Sequence, residues 1–87
     1  MNNDMTFAAW LSRHVDDPNR PHITRTWLAD NVCNGRNSTI SGWLHQNAVP
    51  DALTSISLRN VLGLTEAEFV GMVEAIATTI QIRSEAA

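Results

Sequence analysis

Hydrophobic residues recur along this chain at intervals of three and four positions, and no segment sustains an alternation of hydrophobic and polar residues. Intervals of three and four place side chains on one face of an α-helix, whereas strict alternation is typical of β-strands. The pattern therefore predicts an all-α fold. Turn residues divide the hydrophobic segments into five helices, which we assign to a single domain over residues 1–87.

The first two predicted helices are short and are separated by a loop over residues 18–21, which contains two prolines. The first helix begins after Asp4 or Thr6 and ends before Asp16. The second begins after Thr24, a favourable N-cap residue, and ends at Asn34 and Gly35. The residues expected to face the core are Phe7, Leu11, His14 or Val15, Leu28, Ala29 and Val32.

The third and fourth predicted helices occupy the middle of the chain. The third runs from Asn37 or Ser38 to His45 or Gln46. The fourth is capped by Asp51 and ends at Gly63, because glycine readily adopts the left-handed conformation that closes many helices. The candidate buried positions of these helices are Ile40, Trp43, Leu44, Leu53, Ile56, Leu58 and Val61 or Leu62.

The fifth predicted helix is the longest, covering about residues 66–83. It opens with Thr65 and Glu68, the spacing of a capping box, in which each side chain accepts a hydrogen bond from the other residue's N–H group. An apolar stripe of Phe69, Val73, Ile76 and Ile80, flanked by Met72, continues to Ile82. Phe69, Met72 and Val73 are expected to be buried, because they close the core beneath the fourth helix. Two interpretations stay open: Ile76, Ile80 and Ile82 form a homodimer interface, or they pack back against the first helix at Phe7 and Trp10.

Composition favours a folded cytoplasmic protein. Hydrophobic residues make up 44% of the chain and charged residues 17%, which is unlike a disordered sequence. Cys33 is the one cysteine, so no internal disulfide can form, and this favours a reducing compartment. The start of the sequence lacks the pattern of a signal peptide, and no apolar run has the length of a membrane span.

Charge is distributed unevenly along the chain. The formal net charge is −3, which by itself argues against binding to nucleic acid. Residues 20–60 nevertheless carry four arginines and two aspartates, while the acidic excess lies towards both ends. All six basic residues are arginines, whose forked guanidinium groups suit phosphate and guanine. The middle of the chain is therefore the candidate nucleic-acid-binding region.

The third predicted helix contains many weak helix formers, which a helix kept only for packing would not need. Helical geometry directs Ile40, Trp43 and Leu44 inwards and collects short, mostly uncharged polar groups on the other side. Such groups can donate and accept hydrogen bonds at base edges in the major groove. A polar loop or an ordinary solvent-exposed helix explains these residues equally well. The residues of this polar face are Asn37, Ser38, Ser41, Gly42 and His45.

Residues 23–69 resemble the helix-turn-helix domain of the phage repressor, Cro and Xre family. The resemblance rests on Leu28-Ala29, on Ser38-Thr39-Ile40-Ser41 followed by Trp43, and on Leu62-Gly63-Leu64 before an acidic helix start. It implies a compact, lambda-repressor-like bundle of five helices with a long C-terminal helix. The helix-turn-helix would occupy about residues 24–46, with a turn one residue longer than is usual in the family.

The resemblance also implies roles for individual residues. In such domains the second motif helix lies in the major groove, and the first contacts the phosphate backbone near its N-terminus. The implied base-reading residues are Asn37, Ser38, Ser41 and Gly42, with Asn37 favoured because an amide can form two hydrogen bonds to adenine. The implied backbone contacts are Thr24, Arg25, Thr26, Arg36 and His45.

Other kinds of site have weaker support. Cys33, His14, His22 and His45 match no zinc-binding spacing, and nothing in the pattern indicates a catalytic centre, a cofactor or a small-molecule substrate. Stacking of Trp27 or Trp43 on single-stranded bases is an alternative, although burial of Trp43 is favoured.

The sequence thus predicts a DNA-binding transcriptional regulator, a homodimeric repressor of phage, prophage or plasmid type. A protein-interaction module on the same scaffold, such as an antitoxin-like partner or an adaptor, is the alternative.

Overall fold

Five helices account for the part of the chain that the structure describes. That structure is a computed structural model, and it covers residues 5–15 and 17–86. Within these two ranges there are helices and connecting segments but no strands, so the predicted all-α class is confirmed. The helices are α1 (Phe7–Val15), α2 (Arg25–Val32), α3 (Asn37–His45), α4 (Ala52–Leu62) and α5 (Glu66–Ala86).

The helix ends follow the capping residues that the sequence indicates. Thr24 and Asp51 each accept a hydrogen bond from the backbone N–H three residues later, at 3.1 and 2.8 Å. Thr65 and Glu68 form the predicted capping box, with N···O distances of 2.9 and 3.2 Å. Gly63 closes α4 with a left-handed φ of 64°. These local signals explain why the predicted starts of α2, α4 and α5 and the predicted end of α4 agree with the structure, whereas α5 continues three residues beyond its predicted end at about residue 83.

The first helix begins after Thr6, one of its two predicted starts. Its first-turn N–H groups need partners, and the Thr6 hydroxyl accepts a hydrogen bond from the Ala9 N–H at 3.2 Å. Asp4 and Asp16, which bounded the predicted helix, lie outside the described residues. At the other end of α1 Val15 is buried and His14 is half-buried, so Val15 is the core residue of this pair.

One hydrophobic core joins the five helices. The Phe7 side chain is fully buried in this core, with its ring 5.8 Å from the stacked Trp10 ring and 5.7 Å from the Trp43 ring, which it meets edge-on. Helix α1 packs against α3 and α5, and α2 packs against α3 and α4. The core residues are Phe7, Trp10, Leu11, Val15, Ile23, Leu28, Ala29, Ile40, Trp43, Leu58, Leu62, Leu64, Met72 and Ala75.

A buried threonine joins the C-terminal half of α5 to the start of α1. Thr79 is 1% exposed, and its hydroxyl accepts a hydrogen bond from the Phe7 N–H at 2.8 Å. The same hydroxyl donates to the Ala75 carbonyl at 3.0 Å. Helix α5 therefore does pack back onto α1, with Thr79 as the hydrogen-bonded contact. Of the three isoleucines in that interpretation, Ile76 is partly buried against the core, whereas Ile80 and Ile82 are 47% and 40% exposed.

Three apolar residues that were predicted to be buried lie at the surface instead. Leu53 and Ile56 on α4 are 77% and 49% exposed, and Val73 on α5 is 46% exposed. The buried face of α4 is set by Leu58 and Leu62, and Ile56 precedes Leu58 by two positions, or about 200° around a helix. These residues were wrongly assigned because hydrophobic character alone does not decide which face a short helix buries.

The described ranges contain no helix that is long and apolar enough to cross a membrane.

Candidate nucleic-acid interface

Helix α3 presents a polar face to solvent while its other side belongs to the core. Ile40 and Trp43 are 1% and 3% exposed, so they fix the orientation of the helix against α1 and α2. The segment is helical from Asn37 onwards, which rules out a polar loop capped by Ser38. Because Ile40 and Trp43 face inwards, the opposite side carries short donors and acceptors. The exposed polar residues of α3, which we call the α3 face, are Asn37, Ser38, Ser41 and His45.

Gly42 does not lie on the α3 face, contrary to the prediction. It is buried, and a Cβ atom at this position would lie 3.6 Å from the Ala48 Cβ atom. Its carbonyl accepts hydrogen bonds from the N–H groups of Gln46 and Ala48, at 3.0 and 3.1 Å. The segment after α3 therefore folds back over this position, although 3.6 Å is an ordinary contact distance and the packing does not itself require a glycine. Burial removes Gly42 from the exposed surface on which the sequence analysis placed it.

The N-terminus of α2 carries the predicted backbone-contact residues Thr24, Arg25 and Thr26, all of which are exposed. The Thr24 hydroxyl accepts from the Trp27 N–H and so fixes the first turn. The Trp27 ring is half-buried against the core and meets the His22 ring edge-on, with 5.5 Å between ring centroids. The helix terminus is thereby anchored to the core, while Arg25 remains free to reach outwards into solvent.

The turn between α2 and α3 contains two residues in left-handed conformations. Asn34 and Gly35 have φ values of 52° and 81°. The Ala29 carbonyl accepts from both the Cys33 and the Gly35 N–H groups, at 2.8 and 3.0 Å. Asparagine and glycine are the residues that adopt positive φ most easily, so the sequence suits this turn. The chain then enters α3 at Arg36.

A shallow groove of about 220 Å³ lies where this turn meets the start of α4. Arg36 is exposed beside it, next to Cys33, and partial burial raises the pKa of the Cys33 thiol while the nearby Arg36 charge opposes that shift. Neither Thr39 nor Thr54 was predicted as a site residue, although both line the groove. No sequence signal links them, because Thr54 belongs to a different helix. The lining residues are Val32, Cys33, Asn34, Arg36, Thr39 and Thr54.

The four arginines of the middle segment divide into two pairs. Arg20 donates a hydrogen bond to the Leu62 carbonyl at 2.9 Å, and the Arg59 guanidinium lies 5.3 Å from the centre of the Phe69 ring. Those two stabilise the α4–α5 end of the fold. Arg25 and Arg36 are exposed at the N-terminal ends of α2 and α3. The positive charge available to a polyanion near the α3 face is therefore smaller than the sequence suggested.

The predicted dimerisation residues do not form a single surface. Ile76 is partly buried against the core, whereas Ile80 and Ile82 are exposed. Ile80 and Ile82 are two positions apart, so they point about 200° from each other around α5. At most one of Ile80 and Ile82 can therefore lie in the same interface as the exposed side chains of the preceding turns of α5.

No known protein family, curated protein or solved structure matches this chain. The described residues contain no group of three or more His, Cys, Asp and Glu side chains that could hold a metal ion.

Proposed function

We propose that this chain is a sequence-specific DNA-binding transcriptional regulator of the repressor type, built on a helix-turn-helix. The observation that carries the proposal is the α3 face. A helix whose inner side is anchored in the core by Ile40 and Trp43 turns a row of short, mostly uncharged polar groups outwards. Such a helix fits the major groove, where hydrogen bonds to base edges distinguish sequences.

The arrangement of α2 and α3 supports the same proposal. Helix α2 packs against α3 and precedes it by a turn of four residues, Cys33 to Arg36. Arg25 at the start of α2 is suited to a phosphate contact, and Arg36 at the start of α3 is suited to a second one. Asn37 is the preferred base reader, and Ser38, Ser41 and His45 follow it along the exposed side.

The protein would act as a homodimer. Each chain offers one α3 face, and a palindromic site presents two major-groove segments about 34 Å apart. Two chains related by a two-fold axis would therefore fill both half-sites. Occupation of a promoter by such a dimer would exclude the transcription machinery, which is the simplest mechanism of repression for a domain this small.

A protein-interaction module is the second candidate, and a specific observation favours it. Leu53 is 77% exposed and Ile56 is 49% exposed on the outer side of α4, and apolar groups exposed together are typical of protein-binding surfaces. The net charge of −3 also suits a protein partner better than DNA. The two functions make opposite predictions for variants of the α3 face.

The variants Asn37→Ala and Ser38→Ala test the proposal on a duplex recovered by selection from random sequence. Each should weaken specific binding by about 1–3 kcal/mol and leave non-specific binding almost unchanged. Arg25→Ala should weaken binding to both kinds of duplex, because a phosphate contact carries no sequence information. Fluorescence anisotropy with labelled duplexes measures all of these affinities.

Asn60→Ala is the matched control, since Asn60 is an exposed asparagine on α4, away from the α3 face. It should bind DNA as the wild type does. Equal losses for Asn37→Ala and Asn60→Ala, or equal losses on every sequence for all the α3 variants, would contradict base reading and favour the protein-interaction alternative.

A further inference from the structure

Helix α5 carries a second apolar stripe that the core does not use. Val70, Val73 and Ile80 are 48%, 46% and 47% exposed, and Ala77 between them is also exposed. The buried side of the helix is formed instead by Met72, Ala75 and Thr79. We call the set of Val70, Val73, Ala77 and Ile80 the outer stripe of α5.

The spacing of the outer stripe is that of a seam between two helices. Its members follow one another at intervals of three, four and three residues, the a and d positions of a heptad pattern. A helix that contacts only its own domain through Met72, Ala75 and Thr79 does not require this repeat. We propose that the outer stripe is the homodimer interface of the chain, formed by two α5 helices that pack antiparallel across a two-fold axis level with Ala75. This inference rests on the homodimer of the proposed function.

The stripe is complementary to itself in that arrangement. A two-fold axis level with Ala75 places Val70 opposite Ile80 of the second copy and Val73 opposite Ala77 of the second copy. Each layer then combines a larger residue with a smaller one, which lets two helix backbones approach closely without a void. A parallel arrangement would instead set Ala77 against its own counterpart and leave that layer underfilled.

The charges beside the stripe favour the same orientation. Glu66 lies at the start of α5 in line with the stripe, and Arg83 lies near its end; both are exposed. Antiparallel packing brings each Arg83 next to Glu66 of the second copy, so an attractive pair closes both ends of the seam. Glu74 flanks the middle of the stripe, and the two copies of Glu74 approach each other across the axis. This repulsion weakens the dimer. Tightening of the dimer when the repulsion is removed would therefore indicate the antiparallel register.

The size of the stripe sets the expected strength of the dimer. Four apolar layers bury less than the roughly 1,600 Å² of a standard protein interface, so a dissociation constant in the micromolar range is expected. Binding of both subunits to adjacent half-sites on DNA would then make the dimer tighter through the increase in effective concentration.

Sedimentation velocity in the absence of DNA tests the interface separately from the DNA-binding function. The wild type should form a concentration-dependent dimer, and Val73→Asp should raise the dissociation constant by at least about tenfold, because it places a charge in the seam. Leu53→Asp is the matched control, since it makes the same kind of change at an exposed apolar residue of α4. Circular dichroism confirms that each variant is folded.

Two further results decide the orientation. Glu74→Gln should tighten the dimer, whereas Glu85→Gln, an equal change of charge away from the stripe, should tighten it less. In a Cys33→Ser background, chains carrying Val73→Cys should crosslink to chains carrying Ala77→Cys more readily than either crosslinks to itself. Preferential crosslinking of each variant to itself would overturn the antiparallel register.

A wild type that remains monomeric at high micromolar concentration would overturn the interface, as would a dimer that Leu53→Asp dissociates and Val73→Asp does not. Neither result bears on sequence-specific binding of the α3 face, which is measured with DNA.

Discussion

Trp43 is the residue on which the position of the α3 face depends most directly. Its indole is 3% exposed and meets the Phe7 ring edge-on at 5.7 Å, so it ties α3 to α1 from the side opposite the exposed polar groups. Burial of a large aromatic side chain contributes several kcal/mol, which is a considerable part of the stability of a domain of this size. The sequence predicted this burial from the position of Trp43 three residues after Ile40.

Replacement of Trp43 by alanine should lower the free energy of unfolding by about 3–5 kcal/mol, because the cavity cannot be filled by its neighbours. Denaturant-induced unfolding, followed by circular dichroism, measures the change. Trp27→Ala is the comparison. Trp27 is only half-buried, so its replacement should lower the free energy of unfolding clearly less than Trp43→Ala does. Similar losses for both variants would show that Trp43 does not hold α3 in the core as the structure indicates.

At the scale of elements, the capping box of α5 makes the stability of the fold depend on pH. The hydrogen bond from the Thr65 backbone N–H stabilises the ionised Glu68 carboxylate and holds the pKa of Glu68 below its usual range. A group whose pKa is lower in the folded state adds stability above its unfolded pKa, and this contribution is lost as the pH falls through the folded value.

The variant Glu68→Gln removes this pH dependence while an amide oxygen still caps the helix. The advantage of the wild type over this variant should therefore shrink as the pH is lowered through the range in which carboxyl groups titrate. Thermal unfolding at a series of pH values provides the measurement. Glu66→Gln serves as the control for the loss of a neighbouring charge. A difference between wild type and Glu68→Gln that stays constant with pH would contradict the assigned role of the carboxylate.

The elements also show what the sequence can and cannot specify. Their boundaries were predictable because the signals at Thr24, Asp51 and Thr65 are local and act within one turn. The buried faces were less predictable. Thr79 is buried because it satisfies the first N–H of α1, a partner 72 residues away. Val73 is exposed because Thr79, Ala75 and Met72 take the inner side. Such choices depend on tertiary neighbours, which hydrophobic periodicity does not reveal.

On the scale of the whole molecule, the exposed polar residues of α3 include no acidic side chain, and the last acidic residue before α3 in the chain is Asp30, whose carboxylate lies close to Gly35 in the turn before α3. The α3 face was predictable from helical periodicity, with Gly42 as the exception that the following segment covers. The groove beside Arg36 was not predictable, since Thr39 and Thr54 come from different helices. The sequence also did not predict that Arg20 and Arg59 make contacts within the fold while Arg25 and Arg36 stay exposed. Under the proposed function, few arginines are available for phosphate contacts, so sequence specificity would come mainly from hydrogen bonds to bases.

Selection of binding sites from random duplex DNA tests the central claim most directly. If the α3 face reads bases from a homodimer, the wild type should enrich a pseudo-palindromic sequence whose half-sites lie about one helical turn, or 34 Å, apart. The variant that carries both Asn37→Ala and Ser38→Ala should fail to enrich that sequence, although it remains folded. Failure of the wild type to enrich any sequence, or enrichment of the same sequence by the double variant, would contradict DNA reading by α3.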